Sequence, residues 1–195
     1  MKKTIIAATM VLGMGLSAMA QSTNPLLERR YNTPYEIPPF EKITTDNYRE
    51  AFLRGMEEQK KEIDAIVNNA EAPTFQNTIA ALDRSGQLLN RTAGVFYGLS
   101  RSCSTPELQN LESELSPLLS AHSDYMNMNE GLFLRVKAVY DGQDKLNLNT
   151  EEKRLLEKTY KGFVRGGAML DDAKKQRRSE INQQLAKLQL QFTQN

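Results

Sequence analysis

The stretch PTFQNTIAALDRSGQLLNRTAGVF, residues 73–96, decides the fold class. Phe75, Ile79, Leu82, Gly86, Leu89, Ala93 and Phe96 follow one another at alternating steps of four and three, the spacing that lines up one face of an α-helix. Thr74 stands directly after Pro73, where its hydroxyl can cap the first turn. The pattern predicts one long helix with a coiled-coil-like seam. Gly86, Gly94 and Gly98 each cost about 1 kcal/mol of helix propensity against alanine. The expected return is close approach of a neighbouring backbone.

The same period runs outward in both directions. Upstream, a helix is expected from Thr44 or Thr45, carrying Tyr48, Phe52, Met56, Ile63 and Val67 on one side and ending in NNAEAP. Downstream, Thr105-Pro106-Glu107 opens another, with threonine as cap and proline in the first turn. Its period is kept by Leu108, Leu111, Leu115, Leu118 and His122, and Pro117 is expected to kink it. A short helix follows from Asn129 to Tyr140, stopped by Asp141-Gly142. Asn149 with Glu152 resembles a capping box for a fifth, which carries Leu155, Thr159, Phe163 and Leu170. Asp171 or Asp172 caps the sixth, striped by Ile181, Leu185, Leu188 and Phe192. No alternating β pattern and no fixed repeat occurs. The fold class expected is all-α, an irregular helical bundle, with residues 44–195 as its helical domain.

Ahead of it the composition changes. Pro25, Pro34, Pro38 and Pro39 forbid helix through most of residues 21–43. Leu26, Leu27, Tyr31, Tyr35, Ile37 and Phe40 argue that this stretch packs as an extended proline-rich arm across the folded body. Residues 1–20, MKKTIIAATMVLGMGLSAMA, read as a secretory signal: Lys2 and Lys3, a short apolar core, then Ala18-Met19-Ala20. The core falls short of the roughly 20 apolar residues of a membrane span. Cleavage is expected after Ala20, which places the chain in the periplasm or outside the cell, with no membrane partner once the signal is removed.

Charge and chemistry narrow the function. With 25 basic and 24 acidic residues the net charge is +1, so there is no electrostatic footprint for nucleic acid and none is expected as a partner. Cys103 is the single cysteine and cannot form an internal disulfide; it reads as a small buried or half-buried apolar residue, with only Arg101 nearby to activate a thiol. His122 is the single histidine, so the paired histidines of H-E-x-x-H cannot be supplied by these residues. The run His122-Ser123-Asp124 suggests a catalytic triad, yet consecutive helical residues point about 100° apart, which defeats triad geometry; a structural histidine is expected. Glu57, Glu58, Glu62, Asp64, Glu112 and Glu114 read as solvated surface, and so does the basic run Lys174, Lys175, Arg177, Arg178. No catalytic, cofactor-binding or metal-ligating residue is expected in the chain.

Seven segments then fit together: NPLL from Asn24, PPFEKITTDNY from Pro38, PTFQNTIAALDRSG from Pro73, AHSD from Ala121, LFLRVKAVYD from Leu132, FVRGGAML from Phe163 and LQLQFTQN from Leu188. In order and spacing they resemble the amino-terminal helical region of thimet-oligopeptidase-type zinc metallopeptidases, and within them the bacterial peptidyl-dipeptidase and oligopeptidase A branch. The resemblance covers essentially the whole mature chain. It implies a helical, clam-like enzyme whose halves flank a channel, with this region as one wall. It further implies short unfolded peptides as substrates, release of carboxy-terminal dipeptides, and zinc held by H-E-x-x-H and a later glutamate in a catalytic region beyond Asn195. The chain departs from that pattern by lacking the motif, so no catalytic or metal residue carries over and no zinc is expected in these residues. The 195-residue chain is expected to be inactive alone and to end short of its folding unit, because the stripe to Phe192 wants a partner. A stand-alone periplasmic helical module that binds peptides or a partner helix is the competing reading.

Overall fold

The computed structural model describes residues 24–194 and shows an irregular helical bundle with no strand among them. The expected signal at residues 1–20, with its cut after Ala20, lies outside the described residues. The helices are α1 (Thr45–Val67), α2 (Ala81–Asp83), α3 (Gln87–Ser102), α4 (Pro106–Asn127), α5 (Glu130–Asp141), α6 (Thr150–Gly166) and α7 (Asp172–Gln194). None of them is long and apolar enough to cross a membrane.

Before α1 the chain makes three 3₁₀ turns, Pro25–Leu27, Pro34–Glu36 and Phe40–Lys42. Asn24 anchors the first: its Oδ1 accepts from the Leu26 amide at 3.0 Å, while its Nδ2 donates to the Asn47 carbonyl at 2.8 Å and to Glu50 at 3.0 Å. Leu26 and Tyr31 are buried. The packing expected of Tyr35, Ile37 and Phe40 is not found; all three are exposed, Tyr35 at 94%. Tyr35 and Glu36 adopt left-handed φ of 57° and 55°, a conformation costing a non-glycine residue on the order of 1 kcal/mol or more. That turn aims their side chains away from the body.

The helices start where the sequence predicts caps. Thr44 accepts from the Asn47 amide at 3.2 Å, Thr105 from Leu108 at 3.3 Å, and Asn149 from Glu152 at 2.9 Å. Asp171, rather than Asp172, caps α7 by accepting from the Lys174 amide at 2.9 Å.

The long helix expected over 74–96 is broken. Residues Phe75–Ala80 wind as a π-helix, α2 is a single turn, and Gly86 at φ 71° separates it from α3. The four-three spacing of the apolar residues runs straight through the break, so period alone does not reveal it. Ser85 closes the first segment by donating its hydroxyl to the Leu82 carbonyl at 2.7 Å, and Glu62 of α1 takes the Gly86 amide at 2.7 Å. A methyl on Gly86 would stand 2.3 Å from Gln59 Nε2. The close approach expected of Gly94 and Gly98 is absent; nothing lies within 4 Å of either. Gly55 on α1 is the glycine that meets a backbone, its Cβ position lying 2.9 Å from Leu89 Cα. There α1 and α3 make the most extensive helix contact in the chain.

Two apolar clusters result. One gathers Tyr48, Phe52, Met56, Leu89, Phe96 and Leu111, with Phe52 and Phe96 packed edge to face at 5.4 Å. The other gathers Ile63, Ile79, Leu132, Val136, Leu156 and Phe163. On α6 the buried residue beside Phe163 is Leu156, with Leu155 only half-buried. Leu170, expected on that helix, lies beyond it, because Gly167 at φ 93° ends α6. α4 runs continuously through Pro117, beside which a cleft of about 630 Å³ opens along the α4–α7 contact.

Candidate functional site

His122 sits at the boundary between the two clusters. Its Nε2 lies 2.8 Å from Gln59 Oε1 of α1, and Gln59 Nε2 reaches Ser85 Oγ at 3.4 Å. Burial, and secondarily the positive charge of Lys60, hold the His122 pKa below its ordinary value, so the neutral ring that donates to Gln59 is favoured. One turn on, Tyr125 donates its hydroxyl to Asp64 at 2.6 Å, and Lys60 stands 4.6 Å over its ring. The bond to Asp64, reinforced by burial, pushes the Tyr125 pKa up to about 12. The constellation joins α1 to α4 and gives His122 the structural role read from the sequence.

Ser123 and Asp124 turn away from it. Ser123 Oγ accepts from Asn127 at 3.0 Å; Asp124, 8% exposed, accepts from Asn182 of α7 at 2.7 Å through Oδ1, and its buried Oδ2 has no partner. No triad forms. Several carboxylates taken for solvated surface instead join elements: Glu62 holds Gly86, Asp64 holds Tyr125, and Glu114 takes Arg49 bidentately at 2.8 and 2.9 Å. That Arg49 pairing keeps the Glu114 carboxyl below the usual range. Cys103 is exposed, not buried, since it falls just past the end of α3. Arg101 stacks over Tyr97 at 6.0 Å. No three of His, Cys, Asp and Glu come together as metal ligands among the described residues; with a single histidine in the chain, these residues do not fit a zinc centre.

The face that stands open is on α7. This helix lies on α4 through half-buried Arg178, Ser179, Asn182, Ala186 and Leu190. Ile181, Leu185, Leu188 and Phe192 are 47%, 49%, 61% and 83% exposed, with Leu185 at the edge of a cleft it shares with Leu119 and Asp124 of α4. Gln59 and Asn182, the two amides that tie α4 to its neighbours, carry no signal in the sequence beyond their helical phase.

No family model matches the chain. Over 173 residues, 89% of its length, it is 40% identical to dipeptidyl carboxypeptidase of Salmonella typhimurium. It is 38% identical over 171 residues to dipeptidyl carboxypeptidase of Escherichia coli, and 29% identical over 173 residues to oligopeptidase A of the same organism. The chain spans about a quarter of the length of these relatives, 25% in each case. Its homologues are peptidases, in the branch that the seven segments resemble.

Proposed function

We propose that this chain is the amino-terminal helical part of an exported zinc metallopeptidase that hydrolyses short peptides and releases carboxy-terminal dipeptides, its helices forming one wall of the substrate channel. The observation that carries the reading is the alignment of 89% of the chain, at 40% identity, with a dipeptidyl carboxypeptidase. The higher identity to the two dipeptidyl carboxypeptidases than to oligopeptidase A, 40% and 38% against 29%, favours dipeptide release. Export is supported by the pattern of residues 1–20. Zinc and its ligands belong, in this reading, to the part of the enzyme that these residues do not include. The role left to them is to shape the channel and limit entry. The open face of α7 also suits a stand-alone module that binds a partner helix.

The test is a chimera in which this chain replaces the matched 173-residue segment of the Salmonella enzyme. It is assayed by mass spectrometry on amino-terminally blocked peptides. Chelator-sensitive release of dipeptides from the chimera, with none from the isolated chain, is expected. A folded chimera that cleaves nothing, or chelator-sensitive cleavage by the isolated chain, overturns the reading.

A further inference from the structure

The first turns of α7 are charged against its own dipole. A helix start carries partial positive charge and favours acidic residues. Asp171 and Asp172 meet that preference, yet Lys174, Lys175, Arg177 and Arg178 follow at once. Helical residues three and four apart share a face, so Lys174, Arg177 and Arg178 lie in line with Ile181, Leu185, Leu188 and Phe192. One face thus runs from three cations to four apolar side chains. At the junction a cleft of about 340 Å³ is lined by Leu170, Lys174, Arg177, Arg178, Ile181 and Asn182. Lys174 pairs with Asp171 at 2.7 Å and Arg177 with Glu180 at 3.2 Å. Arg178 has no ion pair among the described residues; its Nε is buried beside Gly167, 3.3 Å from the position a Cβ would take there, and its side chain also lines the cleft. A cluster of cations placed at the end of a helix that disfavours them, beside an uncovered apolar stripe, is a local conflict that a partner would relieve.

We propose that this face docks one amphipathic helix from the rest of the peptidase, running antiparallel to α7. Its apolar stripe covers Ile181, Leu185, Leu188 and Phe192, and its carboxylate-bearing carboxyl end sits over the cleft. The source of that helix rests on the reading above; the chemistry rests on α7. The negative end of a helix, with acidic side chains, complements the positive start of α7 and the cations along it. Four anchors at helical spacing are what a helix laid along another helix uses.

The test uses the full 195-residue chain and two synthetic helical peptides with the same apolar stripe, one ending in glutamates and the other in lysines, with binding read by fluorescence anisotropy. The acid-ended peptide is expected to bind at least about tenfold more tightly at low salt, with the difference collapsing near about 1 M salt. Leu185→Asp with Phe192→Asp should abolish binding of both, Lys174→Glu with Arg178→Glu should reverse the preference, and Leu134→Asp on the exposed side of α5 should change nothing; circular dichroism confirms that each variant is folded. Equal binding of the two peptides, no binding of either, or loss on Leu134→Asp alone overturns the docking face. Selective binding of the acidic peptide together with an inactive chimera overturns the peptidase reading and leaves the face standing.

Discussion

Helices α1 and α7 are each 23 residues long, and both show apolar residues at helical spacing. They use that spacing in opposite ways. α1 buries Tyr48, Phe52, Met56, Ile63 and Ile66 against α3, α4 and α5, whereas no described residue of α7 is buried. The part of α7 against α4 is instead the edge carrying Arg178, Ser179, Asn182, Ala186 and Leu190, fixed by Asn182 on Asp124. A periodic stripe therefore shows that a helix has a face. Which surface that face meets, and whether it meets one within the chain, depends on how the other helices fill their own.

The sharpest break in that comparison is a matched pair of truncations. Phe52→Ala empties a site of zero exposure and should cost about 3–5 kcal/mol, while Phe192→Ala on α7 should stay within about 0.5 kcal/mol. Denaturant unfolding of the isolated chain measures both. Glycines give the next contrast. Gly55→Ala would place a methyl 2.9 Å from the Leu89 backbone and should cost about 1–3 kcal/mol by forcing α1 from α3. Gly94→Ala, with open space around it, should stabilise by about 0.5–1 kcal/mol, read from the same curves.

Asn182→Ala tests the seam of α7 itself. It leaves the Asp124 carboxylate buried with neither oxygen paired, a loss of about 1–3 kcal/mol. It should appear as faster amide hydrogen exchange across α7 with α1 unchanged. Uniform acceleration across both helices would contradict the separation drawn here.

The smallest effect is a pH slope. The His122 pKa is lowered by burial in the folded state, so the unfolded chain binds more protons near and below the unfolded value of about 6.5. The stability held by the neutral ring is present above that pH and declines as pH falls through the window. In His122→Gln that component of the slope should vanish, as measured by unfolding at a series of pH values.

The helices were legible because each start carries its own chemistry: Thr44, Thr105, Asn129 and Asn149 all cap as their residue types suggest. The break at Gly86 was not, because the seam residues on either side keep one phase and the cause lies on another helix, in Gln59 and Glu62. Gly55 shows the same limit. Nothing around it in sequence marks it, and its reason is Leu89, which only the fold brings near. Exposure of Tyr35 and Cys103 was likewise set by where a turn or a helix end fell. The apolar face of α7 was visible in full, but its direction was not, since Ala186 and Asn182 look no more like a contact than Leu185 does.

Gln59 also fixes how α1 may lie. It occupies the one position of that helix where the two apolar clusters part, with Met56 below and Ile63 above, and it meets His122 and Ser85 there. A slip of α1 by one turn would bring an apolar side chain against His122 and drive the Gln59 amide into hydrocarbon without partners. The polar layer thus acts as an index mark: it makes misregistered bundles costlier than the native one, and it does so without adding a single apolar contact.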